Sequence, residues 1–389
     1  MSVGARPKLM FLVSEDWYFV SHRLSLARAA IAAGYEVVVA CRVGTDRARI
    51  EAEGVRVIPI RLRRRLANPF DDLAALIQLI GIFRAERPDV VHQFALKPSL
   101  FGSIAAAVTG LPVVVTTLAG LGYIFINRSL KARVLRPVLV RAFRTLLNRR
   151  ASHVIVQNQD DYAQFAGTLL EPERVSLIPG SGVDAERFAP TPEPEGVRVA
   201  VLVARMLWDK GVGEAVAAMR LLRARGVPLR LRLAGMPDLE NPRTITEEQL
   251  RTWHAEGIVE WLGQVDDVAA LWQGAHIAVL PSYREGLPKS LLEAAAAGRP
   301  MVATDAPGCR ELVKDGHNGL LVPVKSVEPL ADALARLAED AQLRHRMGNA
   351  ARQDIDSKFS DRIIIRRCLE LYRTLRRQGP DGTPADVLA

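Results

Sequence analysis

Glu285 and Glu293 flank a proline in the segment YREGLPKSLLEAAAAGRP, and two carboxylates placed around a helix start are suited to holding hydroxyl groups. Gly286 and Leu287 lead into the turn, Pro288 fits the first helical turn, and Gly298 fits the helix end. Glu293 then lies roughly 7 Å along the axis, at about 1.5 Å per residue. The free amides between Gly286 and Lys289 point out of the helix N-terminus, where an anion such as phosphate is favoured. On this reading Glu285 holds sugar hydroxyls on one side and Glu293 accepts two ribose hydroxyls on the other. Taken alone, the pattern also fits a solvated helix with two surface glutamates.

A second cluster lies in VAVLVARMLWDKGVGEAV, where a strand is followed by Arg205, a short loop, Lys210 and Gly211, and then a helix. Two cations at a strand's carboxyl end can clamp a diphosphate, Arg205 as a planar fork and Lys210 as a point charge. The plain alternative is surface solubility. GVGEAV half matches a dinucleotide fingerprint, but Val216 stands where its third glycine or alanine belongs. SLIPGSGVDAERF, with Gly180, Gly182 and Asp184, reads as a strand end and hinge whose glycines permit close backbone approach, or as an ordinary turn. Asp354 and Asp356 are spaced as Asp-x-Asp in a late helical region and read as solvated surface.

The elements that must position these groups alternate. KLMFLVSE, EVVVAC, VRVIPIRL, DVVHQ, LPVVVTTL and SHVIVQN read as strands, separated by apolar-periodic stretches such as Ser21–Ala33 and LAALIQLIGIF. Pro190 to Gly196, PTPEPEG, has linker chemistry, and a second alternation follows it from VRVAVLVARM to PMVATD. The fold class expected is α/β, two doubly wound Rossmann-like domains facing each other across a cleft. Ligands in such sheets sit beyond the carboxyl ends of the strands. The expected boundaries are residues 1–189, 197–360, and a terminal helix over 361–378.

The net charge of +9 is uneven: residues 1–150 carry +13 and the remainder −4. The first half therefore faces an anionic partner. No helix-turn-helix, finger or aromatic-studded basic strand is present to read bases, which excludes nucleic acid and favours an anionic membrane surface or lipid phosphate. Arg133, Arg136, Arg141 and Arg144 fall on one side of a helix, opposite Leu135, Leu139, Phe143 and Leu146, with Pro137 interrupting. That helix either rests on a bilayer or acceptor diphosphate, or packs on the sheet with a wet basic face. Arg61, Arg63, Arg64 and Arg65 form another cluster, and Lys97 is placed to contact acceptor phosphate. Residues 98–127 are uncharged, yet Gly110, Pro112, the β-branched VVVTT, Gly120 and Gly122 break the run, so no transmembrane helix is expected. Cys41, Cys309 and Cys368 are too scattered for a disulfide framework or zinc site, and the apolar stretch before Ser14 is too short for a secretory signal. The expected location is the cytoplasm, peripheral on the inner face of the membrane.

ARMLWDKG, IPGSGVD, WLGQVDD, EGLPKSLLEA and AAGRPMVATDAPGCRELV, in this order, resemble the retaining glycosyltransferases of family 4, with the GT-B architecture, over nearly the whole chain. The resemblance implies that Arg205 and Lys210 bind the donor diphosphate, Glu285 the transferred sugar and Glu293 the ribose. It also implies that Gly263 and Gln264 lie near the base and that the last helix crosses back to the first domain. SEDWYFVSHRLSLA, HQFALKPSLFGS and TTLAGLGYIF look like the subgroup that builds lipid-linked bacterial surface polysaccharides. This implies a UDP-sugar donor, a hexose or N-acetylhexosamine, and a polyprenyl-diphosphate-linked saccharide acceptor. Many members carry a histidine after the strand that here reads VVVTTLAG, where this chain has Thr117, Leu118 and Ala119. His22 and His92 are the candidates to replace it.

The chemistry expected is transfer. Negative charge grows on the departing diphosphate, so Arg205, Lys210 and the helix amides stabilise the transition state, and neither metal nor cofactor is required. Two other readings share the features in part. An epimerase would turn over a UDP-sugar without acceptor, using cleft carboxylates and histidines. A non-catalytic membrane scaffold would account for the basic half but not for the second-half constellation.

Overall fold

The computed structural model describes residues 6–62, 68–118 and 130–378. The chain divides into two compact units, residues 1–181 with 364–389, and residues 182–363.

In the first unit, β1 (Lys8–Glu15), β2 (Glu36–Arg42), β3 (Arg56–Pro59), β4 (Val90–Phe94), β5 (Val114–Leu118), β6 (Ser152–Val156) and β7 (Val175–Leu177) form one parallel sheet. Its order is β3-β2-β1-β4-β5-β6-β7. Strands this apolar are buried on both faces. Alternate residues of β1 show it: Leu9, Phe11 and Val13 enter one core, Met10 and Leu12 the core on the opposite face. In the second unit, β8 (Arg198–Val203), β9 (Leu229–Ala234), β10 (Glu260–Gly263), β11 (Ile277–Leu280), β12 (Met301–Thr304) and β13 (Gly319–Val322) pair in parallel in the order β10-β9-β8-β11-β12-β13. Both sheets are therefore doubly wound, with strand order reversing at β1/β4 in one and β8/β11 in the other.

The chain first passes between units at 181/182, ahead of the Pro- and Glu-rich segment. Gly182 sits at φ 71°, where a Cβ would come 2.5 Å from the Asp361 Cα. Val183 donates to the Phe359 carbonyl and accepts from the Asp361 amide, and Phe188 is buried in the second unit's core. The linker expected at Pro190–Gly196 is instead fastened down. Arg344, 1% exposed, binds both oxygens of Glu193, Arg299 reaches Thr191, and His276 meets the Pro194 carbonyl. Proline stiffness and a fixed ion pair hold this segment against its own unit.

The helix Asp361–Gln378 buries Ile364, Cys368, Leu369 and Tyr372 in the first unit's core, the spacing of one helical face. Asp354 departs from its expected surface position: it is buried, accepts from Asn318 and pairs with Lys358 and His317, whereas Asp356 is exposed and pairs with Arg352. Asn318, itself fully buried, needs that acceptor. In the helix Leu130–Leu147, Arg141 and Arg144 are exposed while Leu147 is buried and Phe143 packs beside it, so its last turns rest on the protein with a wet basic face. The side chains of Arg133, Leu135, Arg136 and Leu139, together with Arg63, Arg64, Arg65, Ala119, Gly120 and Gly122, lie outside the described residues. Among the described residues no helix is long and apolar enough to cross a membrane.

Candidate active site

The second unit gathers its chemistry at the β8/β11 reversal. β8 ends at Val203, and the chain then carries Arg205 and the turn Trp208–Lys210; β11 ends at Leu280, followed by the loop 281–288 and the helix Lys289–Ala296. These two loops are locked together. Gly211 has φ 71° and would place a Cβ 2.0 Å from the Pro281 carbonyl oxygen, so only glycine permits the approach. The Asp209 carbonyl accepts from the Tyr283 amide at 3.0 Å and from the Ser282 hydroxyl at 3.2 Å. The Lys210 ammonium consequently meets Glu285 at 2.5 Å, with the two side chains 20% and 12% exposed. On the far side, the Glu285 amide donates to the Pro307 carbonyl, and a Cβ on Gly308 (φ 81°) would strike the Glu285 and Gly286 carbonyls.

Leu287 and Pro288 are buried, and Pro288 caps the helix without a side-chain hydrogen bond. Glu293 is also buried, with Lys289 at 4.0 Å. Burial raises its pKa above the ordinary glutamate value, against the pull of Lys289, Arg187 and the Trp272 indole. Neither glutamate is thus a freely solvated surface residue. Arg205 is 43% exposed and paired with Asp238, itself only 9% exposed. Gly263 ends β10 at φ 68° and its carbonyl accepts from Gly235, whose own Cβ would lie 1.9 Å from the Ala204 oxygen, so the loops after β8, β9 and β10 close on one another. Gln264 is exposed at this edge. Val216, where the glycine fingerprint breaks, is buried in the core.

Several contacts were not singled out from the sequence. Tyr283 donates to Glu214 at 2.6 Å, Lys325 lies 4.8 Å from its ring centroid, and burial followed by Glu214 raises its pKa. Tyr283 stands two residues before Glu285, the one signal that could have flagged it. Among the described residues no three His, Cys, Asp or Glu side chains gather as a metal site.

The first-unit candidates separate. His92 is fully buried, between Tyr372 and Thr117 at 2.5 and 2.7 Å, and burial followed by the Arg23 charge holds its pKa well below the usual histidine range. It is a neutral core group. Lys97 is 7% exposed and neutralised by Asp72 at 2.6 Å, so its charge is already used within its own unit. His22 is half-buried, stacked on Tyr18 with ring centroids 4.5 Å apart, and its Nδ1 meets Ser21.

The profile of the glycosyl transferases group 1 matches residues 183–354, and that of the glycosyl transferase 4-like proteins matches residues 8–158. An N,N'-diacetylbacillosaminyl-diphospho-undecaprenol alpha-1,3-N-acetylgalactosaminyltransferase of Campylobacter jejuni is 30% identical over 82% of the chain and 86% of its own length. The chain belongs to glycosyltransferase family 4. A second relative, the UDP-Gal:alpha-D-GlcNAc-diphosphoundecaprenol alpha-1,3-galactosyltransferase of Escherichia coli, is 24% identical over 82% of this chain and 84% of its own. The glycosyltransferase also shares its fold with Anabaena HepE, solved in complex with UDP and glucose, at a TM-score of 0.76 and 20% identity over 95% of this chain and 100% of that one. The architecture of this family 4 glycosyltransferase is GT-B, two Rossmann-like units with parallel sheets.

Proposed function

We propose that the enzyme moves a hexose or N-acetylhexosamine from a UDP-sugar to a polyprenyl-diphosphate-linked saccharide, with retention at the anomeric carbon, in surface polysaccharide synthesis. The observation that carries this reading is the Lys210–Glu285 contact at the carboxyl ends of the two strands flanking the sheet reversal. A cation and a carboxylate held together there suit a diphosphate and a sugar that share one bond. Lys210 and Arg205, with the amides that open the helix Lys289–Ala296, take up charge on the departing diphosphate, and Glu285 orients the sugar hydroxyls. Glu293 binds the ribose and Gly263 with Gln264 border the base. No step is assigned to a metal ion or cofactor. The names of the two relatives support the lipid diphosphate acceptor, and that of the second supports the UDP donor.

An anionic membrane surface is the proposed site of action. Supporting it, the helix Pro69–Glu86 exposes Phe70, Leu73 and Ile77 along one side, preceded in the chain by the Arg61–Arg65 cluster. The test is to incubate the protein with a panel of UDP-sugars and a polyprenyl-diphosphate-linked sugar, and to determine the anomeric configuration of the product. One donor is expected to support transfer with retention. Turnover of a UDP-sugar without acceptor would instead identify an epimerase, and no turnover with any donor would remove the reading.

A further inference from the structure

Arg23 joins the helices Asp16–His22 and Leu24–Ala32 in the first unit and is 3% exposed. Its guanidinium carbon lies 4.1 Å from the centroid of the Phe94 ring, at the end of β4, one of the two strands where this sheet reverses. Its Nε has no hydrogen-bond partner, and among the described residues it makes no ion pair. The carboxylates nearest in sequence are engaged elsewhere: Glu15 pairs with Arg42, and Asp16 accepts from the amides of Trp17, Gly44 and Asp46. The polar groups that feel its charge, His92, Cys368 and Tyr372, are all uncharged near neutral pH: burial holds the imidazole well below its usual range and pushes the thiol and the phenol further above theirs. The backbone beside it is strained as well, Ala95 following Phe94 at φ 68°.

A buried guanidinium without a counter-charge is costly, and a ring face offsets only part of that cost. The chain supplies the cation, the planar fork and an aromatic wall at the place where doubly wound sheets bind ligands, and among the described residues no anion meets them. We propose that Arg23 is an anion-binding residue, the first unit's site for a phosphate group of a diphosphate-bearing ligand. The ligand is a nucleoside diphosphate or a polyprenyl diphosphate. The inference rests on the reading that this enzyme handles such substrates.

The test is calorimetric titration of the full chain with UDP and, separately, with farnesyl diphosphate, for wild type, R23M, R23K and K210M. Losing a charge-assisted contact is expected to weaken at least one ligand about tenfold or more in R23M, with R23K between it and wild type. Weakening of UDP assigns the anion to the donor, weakening of farnesyl diphosphate to the acceptor. Free R23M is expected to melt no lower than wild type, since it removes an uncompensated charge. Unchanged affinities in both arms overturn the proposal, as does R23M melting lower while its titrations match wild type. If R23M does not fold, R23K decides: wild-type affinity in both arms overturns it. K210M serves the donor reading separately, because unchanged UDP affinity there defeats that reading and leaves the Arg23 result standing.

Discussion

Removing the Lys210 ammonium by K210M leaves the Glu285 carboxylate in a site where only 12% of its side chain is exposed. Breaking a fully buried pair from one side costs about 3–5 kcal/mol, and a surface pair contributes about 0.2–1 kcal/mol. With the lysine 20% exposed, this pair lies between those limits, and K210M is expected to lose about 2 kcal/mol. In a unit of this size that corresponds to a melting point lower by about 4–8 °C. E285Q costs less, because a flexible ammonium can turn to solvent more easily than a glutamate fixed through its backbone to Pro307. The double variant K210M/E285Q is therefore expected to be more stable than the sum of the single changes by about 1–2 kcal/mol. In sugar transfer each single variant is expected to lose about 100- to 1,000-fold in kcat, with the double no worse than the weaker single. The assays are thermal denaturation and single-turnover transfer. Wild-type transfer by K210M, or strictly additive losses in stability, would refute the coupling of these two groups.

Two further outcomes follow from buried titratable groups. Glu293 has a raised pKa, so the folded chain binds a proton more tightly than the unfolded one, and this contribution declines as pH rises above the ordinary glutamate value. E293Q is expected to melt above wild type at neutral pH, with the advantage gone below about pH 4, and to bind UDP more weakly; a lower melting point at neutral pH would contradict the burial argument. His153, held near pKa 4 first by burial and then by Arg174, resists protonation in the fold. Stability is thus lost as pH falls below about 6.5, and His153→Asn should reduce that slope by about 1.4 kcal/mol per pH unit, read from urea denaturation between pH 6 and 5. An unchanged slope would assign the pH dependence to other groups.

The alternation of apolar strands and helices, read along the chain, implies two parallel sheets covered on both faces, because continuous runs such as LMFLV and VAVLV have no polar side to offer water. Lys210 and Glu285 stand in two loops whose positions after strands follow from that alternation. Their contact does not follow from it. It depends on β8 and β11 becoming neighbours and on Gly211 letting one loop touch the other, and both are pairings between residues some seventy positions apart. Tertiary packing also sets the surroundings of three other candidates. His92, Lys97 and Asp354 have the same side chains in sequence as a reactive base, a phosphate ligand or a surface acid, and the structure buries each of them against a neighbour. Arg23 is the converse. Its sequence context, SHRLSLA, is that of any basic residue between helices, and only the arrangement of β4 and the last helix around it reveals a buried cation that meets no anion among the described residues. Apolar periodicity is a local property and survives in the sequence, whereas the environment of a charge is set by groups brought together from distant parts of the chain.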